Sequence, residues 1–201
     1  MPKQTHWQLE EQQFWDFSLC LYSKSGVMEN CLCLQDEYQL NVNMVLFCCF
    51  AHHLALPLNR AFITALHQAV ELTEAHIVAH RQRRKQYKQQ AAINQVTMFD
   101  PEQYQLLKQQ ELALEKQQQR DLIAAAHGYR TQTPLDTKHG SNSTDSAGLA
   151  LYAKLFAFDP EPNMAPSPNQ QKINNLIAAV QLANQSINLC SNHIENYAAS
   201  K

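Results

Sequence analysis

Glycine is scarce in this chain, with only four in 201 residues. A sheet protein of this length needs many tight turns, so the scarcity points to helices joined by few loops. It also excludes a glycine-rich phosphate cradle and a G-x-S-x-G nucleophile elbow, neither of which could be hidden among so few glycines. A dominant charge is missing too. The formal net charge is −2, which implies no global attraction to nucleic acid or to an anionic membrane. Long apolar runs are absent. The longest, Met44 to Ala51, closes on His52-His53 and falls far short of the about 20 residues a bilayer requires. The start of the chain, Met1-Pro2-Lys3-Gln4-Thr5-His6-Trp7, lacks the apolar core of a signal peptide. These absences predict a cytoplasmic protein with no membrane association.

Good helix formers, namely Ala, Leu, Gln and Glu, dominate what remains. The densest apolar signal is a cysteine-rich block from Phe14 to Phe50. Its first helix is expected from about Leu9 to Tyr22, with Phe14, Phe17, Ser18 and Leu21 on one face. Ser25-Gly26 breaks it, and Ser25 suits the N-cap of a second helix with Val27, Cys31, Leu34 and Tyr38 along one stripe. Asn41 can cap a third helix, Val42 to about Leu54, which is apolar nearly all round and so central to a core. The six cysteines read as thiols of a reducing compartment, where free Cys behaves as a small hydrophobe.

Asn59 caps a long fourth helix with a stripe of Ile63, Leu66, Val70, Thr73 and Ile77, running on past Arg81 towards Gln90. Asp100-Pro101-Glu102-Gln103 is a strong helix start. The fifth helix is expected to end near His127-Gly128, and its stripe is interrupted by Gln117-Gln118-Gln119-Arg120. A short apolar helix follows from Leu149 to Phe158. In the last segment Ile173, Val180, Ile187 and Ile194 repeat every seven residues, as do Leu176, Ala183, Cys190 and Tyr197. This is a heptad seam with almost no charge on its flanks, which favours packing within its own bundle over a partner-selecting zipper. The expected fold is therefore all-α: a helical bundle with a projecting, Gln-rich helical hairpin and a C-terminal heptad-patterned helix. The divisions are a helical core over 9–80, a polar hairpin arm over 81–127 and a flexible linker over 128–147. Over 148–201 the short apolar helix and the last helix pack back on the core.

Several constellations could carry chemistry. Cys48, Cys49, His52 and His53 form two Cys/His pairs at i, i+4, but Cys31-Leu32-Cys33 is not a zinc knuckle, and a helix sets those two thiols about 200° apart. Core packing is the favoured role, so no metal and no cofactor are expected. Glu71 and Glu74 lack the partners of an E-x-x-H di-iron set and read as surface acids. Arg81, Arg84, Lys85 and Lys88 line one side of a helix and could meet phosphates. A solvated helix end is the blander account, and Tyr87 is the sole aromatic near them in sequence. Asp16, Ser18, Gln35, Asp36 and Asn43 interrupt the apolar block. They either tie helices together by hydrogen bonds or line a pocket, for which Trp15, Tyr22 and Asn43 are the candidates.

The motifs Phe14-Trp15-x-Phe17-Ser18-Leu19-x-Leu21-Tyr22, Gly26-Val27, Cys31-Leu32-x-Leu34-Gln35 and Val42-Asn43-x-x-Leu46-Phe47-Cys48 resemble an uncharacterised proteobacterial family. It is catalogued as domain of unknown function 2390. The close likeness covers about the first quarter of the chain. Beyond it the chain is similar in helical character and in an ending near Asn196-Tyr197. Ser25 stands where the family favours Pro and Asn41 where it favours Asp, and both still suit a helix cap. The resemblance implies a small helical protein without assigned activity, and it supplies no catalytic residues.

The sequence thus points away from an enzyme and towards a non-catalytic interaction or regulatory module with a protein partner. A helical small-ligand-binding protein or enzyme with a pocket in the N-terminal core is one alternative. A nucleic-acid binder using the basic helix face is the other. Oligomeric state is left open.

Overall fold

A computed structural model describes residues 9–93, 100–132 and 147–156, with the single positions 174, 175 and 178. The expected C-terminal heptad helix, Cys190 and residues 133–146 of the expected linker lie outside the described residues. Among the described residues there are six helices and no strand: α1 (Glu11–Tyr22), α2 (Val27–Tyr38), α3 (Val42–His53), α4 (Arg60–Ile93), α5 (Pro101–Gln132) and α6 (Ala147–Phe156). The fold is an all-α helical bundle.

Helix α3 is the centre. Asn41 caps it by accepting the Met44 N–H at 2.8 Å, and every residue from Asn43 to Ala51 is buried. Helices α1, α2, α5 and α6 pack around it. The α1 stripe delivers Phe14, edge-on to Phe47 with ring centroids 5.5 Å apart and stacked near Phe50 at 5.2 Å. Phe17 adds Phe50 and His53, each at 5.3 Å. Such pairs add about 0.5–1.5 kcal/mol beyond the area they bury. Helix α2 buries Val27, Cys31, Leu34 and Tyr38. Its N-cap is Gly26 and not Ser25: the backbone there has φ 79, a left-handed conformation that glycine adopts without strain. Gln39 ends α2 at φ 55, and the Leu40 N–H reaches back to the Leu34 carbonyl at 3.1 Å, a closing bond that satisfies an end carbonyl.

Helices α4 and α5 run antiparallel, as the cross-pairs Glu74–Gln118, Arg84–Glu111 and Tyr87–Asp100 require. Near the core they bury Phe62, Ile63, Leu66 and Val70 from α4 with Leu122, Ile123 and Ala126 from α5. Helix α5 passes Gly128 and ends at Gln132, beyond the stop expected from sequence. Glycine within a helix costs about 1 kcal/mol. Tyr129 offsets this by stacking on Phe62 at 4.6 Å and donating to Asn59 Oδ1 at 3.3 Å. Helix α6 sits close to the α3–α4 connection, where a Cβ on Gly148 would stand 2.7 Å from Leu58 Cδ1.

The α4–α6 contact is titratable. The half-buried His67 ring stacks on Phe156 at 3.8 Å and lies 6.1 Å from Tyr152. Burial lowers its pKa from the ordinary 6.5, against the pull of Glu71 and Glu74. The unfolded chain therefore binds this proton more readily. The stability contributed by neutral His67 is complete above 6.5 and is lost as the pH falls below that value. We expect His67→Gln to flatten the fall in urea-unfolding free energy on the acid side of neutrality. Parallel curves for the two proteins would show that His67 titrates alike in folded and unfolded chains.

Candidate functional site

An apolar central helix that carries asparagines must find partners for them. Asn41 and Asn43 are both buried, and a buried amide left without a partner costs about 1–3 kcal/mol. Helices α4, α5 and α6 supply the partners, and α1 joins through Gln119. Asn43 Nδ2 donates to Gln118 Oε1 at 2.8 Å and lies 3.5 Å from the Glu115 carbonyl. Asn43 Oδ1 accepts from Gln119 Nε2 at 2.9 Å. Gln119 Nε2 also reaches Ser18 Oγ of α1 at 3.2 Å, and that hydroxyl donates to the Phe14 carbonyl at 2.8 Å. Gln118 Nε2 donates to Glu74 Oε2 at 3.0 Å, and Asn41 Nδ2 donates to the same oxygen. The Asn41 N–H donates to the Tyr152 hydroxyl of α6 at 3.2 Å. One polar seam thus ties α1, α3, α4, α5 and α6. Gln118 and Gln119 are 1% and 4% exposed, so solvent does little of this work. Gln119 Oε1 is buried with no hydrogen-bond partner, the one amide oxygen of the seam left in that condition.

Outward from the seam the pairing becomes ionic. Arg81 Nη2 donates to Glu115 at 3.0 Å, and its Nε stands 3.4 Å from Glu111. Arg84 grips Glu111 with two nitrogens, at 2.5 and 3.3 Å, and gives a third hydrogen bond to the Tyr104 hydroxyl at 3.3 Å. Burial raises the Glu115 pKa while the Arg81 hydrogen bond opposes it. The Glu111 hydrogen bond raises that of Arg84. Arg84 in turn lowers the Tyr104 phenol, with Lys88 and Lys108 adding their charge.

The three pocket candidates border one turn of α5. Trp15 is half-buried, with the Lys116 ammonium 4.5 Å from its ring centroid. Tyr22 is half-buried, and burial first, then the nearby Cys31 and Glu115, push its phenol up to about 12. Asn43 meets the Glu115–Gln119 turn directly, and its amide is engaged on both atoms. Of the four basic candidates, Arg81 and Arg84 turn into the helix pair and meet carboxylates, whereas Lys85 and Lys88 are exposed. Among the other polar interruptions Ser18 is buried, and Asp16 and Asp36 are exposed.

Sequence reasoning missed Gln118, Gln119 and Glu74. The glutamines read as a break in the α5 stripe and Glu74 as a surface acid. The available signal was the pair of asparagines in α3, whose demand for partners had to be met from a facing helix.

The three buried thiols, Cys31, Cys48 and Cys49, are held in their unreactive protonated form. Burial pushes Cys31 and Cys48 up to about 12 and Cys49 well up also. A thiolate nucleophile or ligand needs the opposite shift. Among the described residues no group of three or more His, Cys, Asp or Glu side chains is placed to hold a metal ion. Among them, too, no helix is long and apolar enough to cross a membrane.

A family model described as "Protein of unknown function (DUF2390)" matches residues 13–122. The match takes in every side chain of the seam except Tyr152. No curated protein and no solved structure matches the chain.

Two outcomes follow from this geometry. Asn43→Ala leaves Gln118 and Gln119 without their partner and should cost about 2–4 kcal/mol in chemical unfolding, whereas Asn43→Leu combined with Gln118→Leu and Gln119→Leu should recover most of it. A triple variant no more stable than Asn43→Ala would refute the satisfaction argument. In native protein carrying Cys190→Ser, an alkylating reagent should label Cys20 and Cys33. Cys31, Cys48 and Cys49 should react only after denaturation, as read by peptide mass spectrometry.

Proposed function

The chain belongs to the DUF2390 family, and from that premise we propose that it is a non-catalytic macromolecular interaction or regulatory module. Its contact element is the outer part of the α4–α5 pair. The reading rests on the contrast along those two helices. Near the core the pair buries a continuous apolar face, from Phe62 to Val70 and from Leu122 to Ala126. Outward, Ile77 and Leu107 are buried apart from that core, and the surface mixes Gln82, Arg83, Lys85, Gln86, Lys88, Gln105 and Gln109 with the exposed Val78, Leu106 and Leu112. Ordering each residue costs about 1–2 kcal/mol of backbone entropy, and this part recovers little of it by burial. A helix pair held by ion pairs and facing solvent on its outer sides suits a rigid contact surface. The protonated buried thiols Cys31, Cys48 and Cys49 and the Asn43 amide, engaged on both atoms, support a role without chemistry at the core. The Gln-rich character of the hairpin and the heptad seam of Ile173 to Tyr197 belong to the same reading, with the last helix packing back on the core and a protein partner on the arm.

A photo-crosslinking residue placed at Gln86 or Gln109 in the full chain tests this in cells. Adducts at both arm positions should exceed those from the same residue at Met28 on α2 several-fold. Adducts that are absent at both arm positions, or that match the Met28 yield, would overturn the arm as contact element.

A further inference from the structure

The α4–α5 seam has two unlike sides. One carries His80 with Gln110 and Tyr87 with Asp100. The other carries Arg81 with Glu115. At about 100° of rotation per residue, Lys85 and Lys88 fall with Arg81 on this second side of α4. Lys108 falls with Tyr104 and Glu115 on the facing side of α5, one turn along from Tyr104. The two helices together therefore set three cations around one phenol ring. Arg84 donates to the Tyr104 hydroxyl at 3.3 Å, and the Lys108 ammonium stands 5.7 Å from the ring centroid. Lys88 is near enough to act on the same phenol. Sequence reading found the cations of α4 but no stacking platform, because the platform comes from the other helix.

The chemistry of this cluster is specific. Glu111 and Glu115 are consumed by Arg81 and Arg84. That leaves the exposed ammoniums of Lys85, Lys88 and Lys108 as the mobile charge on this side. An exposed cation–π contact is weak, so Lys108 can leave the ring for a phosphate at small cost and uncover the ring face. Alternating phosphates and flat bases are what such a surface fits: ammoniums for the backbone and an aromatic face for a base. A protein partner with an acidic surface would use the lysines and leave the ring idle.

We propose that the side of the α4–α5 pair formed by Lys85, Lys88, Tyr104 and Lys108 binds single-stranded nucleic acid. This rests on the reading of the arm as the contact element and gives that element its partner. With a chain of net charge −2, binding is local, weak and strongly salt-dependent. Three ammonium–phosphate contacts give a slope of log affinity on log salt of about −2.

Fluorescence anisotropy of a labelled, mixed-sequence single-stranded RNA with the full-length protein tests it. Saturable binding is expected below about 100 μM protein at low salt, the weak end of sequence-independent association. Lys88→Gln with Lys108→Gln should weaken it about tenfold and flatten the salt slope by about 1.4, leaving the share of Lys85. Tyr104→Ala should weaken it about tenfold, with Tyr104→Phe restoring most of the loss because the ring is kept. The lysine variant touches only exposed side chains, so it remains decisive should Tyr104→Ala disturb the helix pair. Absence of binding, or affinities unchanged in both the lysine and the Tyr104→Ala variants, would overturn the proposal. So would a duplex of the same sequence that binds more tightly. Protein adducts from the cross-linker at Gln86 and Gln109, without RNA binding, would sink the nucleic-acid assignment and leave the arm as contact element. Loss of both would sink the two together.

Discussion

Two buried asparagines at the start of the central helix, Asn41 as its cap and Asn43 in its first turn, set the terms for the rest of this fold. Helix α3 could have been closed over by any greasy surface of the right shape, since its other buried residues ask only for burial. Asn41 and Asn43 ask for more. Their amides need donors and acceptors at fixed distances and angles, and few placements of the surrounding helices provide them. Gln118 and Gln119 must come from one turn of α5, Glu74 from one turn of α4 and Tyr152 from α6, while Ser18 of α1 meets Gln119 in turn. Sliding α5 by one residue would carry Gln118 and Gln119 out of register with the Asn43 amide. Apolar packing supplies most of the driving force, and the seam selects the arrangement in which it is spent.

The thiols and the seam divide α3 between them. Cys48 and Cys49 fill space as small hydrophobes beside the aromatic cluster of Phe14, Phe47 and Phe50. Their raised pKa keeps them neutral, and a neutral thiol demands almost nothing in hydrogen bonds. The asparagines stand near the start of the helix, where the N-cap already brings polar atoms together. Buried polarity is thus concentrated at the start of the central helix, whose far end closes on the half-buried His52 and His53.

Much of this was legible in the sequence, and the failures have a common cause. Local rules found the caps at Asn41, Asn59 and Asp100, because a cap is satisfied by a backbone N–H within three residues. Periodicity found the buried stripes of α1 and α2, because one face of an amphipathic helix is written in its own residues. What stayed hidden depended on a second helix. Gln118 and Gln119 look like a polar interruption until Asn43 faces them. Gly128 looks like a stop until Tyr129 lies on Phe62. Arg84 looks like one member of a free basic stripe until Glu111 arrives from 27 residues away. The pocket reading of Trp15, Tyr22 and Asn43 shares this logic, since only the placement of α5 reveals what lies against them.

The seam and the outer ion pairs of α4 and α5 are not separate devices. Glu115 belongs to both: its carbonyl lies 3.5 Å from the Asn43 amide, and its carboxylate takes the Arg81 guanidinium at 3.0 Å. Glu74 on α4 mirrors it, one residue deep in the seam and two turns before Arg81. The amide pairing in the core therefore fixes the register of α5 on α4 before the ionic pairing begins. Exposed ion pairs alone are worth about 0–1 kcal/mol and tolerate several registers. Anchored at the seam, they pair in order, Arg81 with Glu115 and Glu111, and Arg84 with Glu111. The outer surface then carries its lysines and Tyr104 in one fixed relation, set by hydrogen bonds made well inside the bundle.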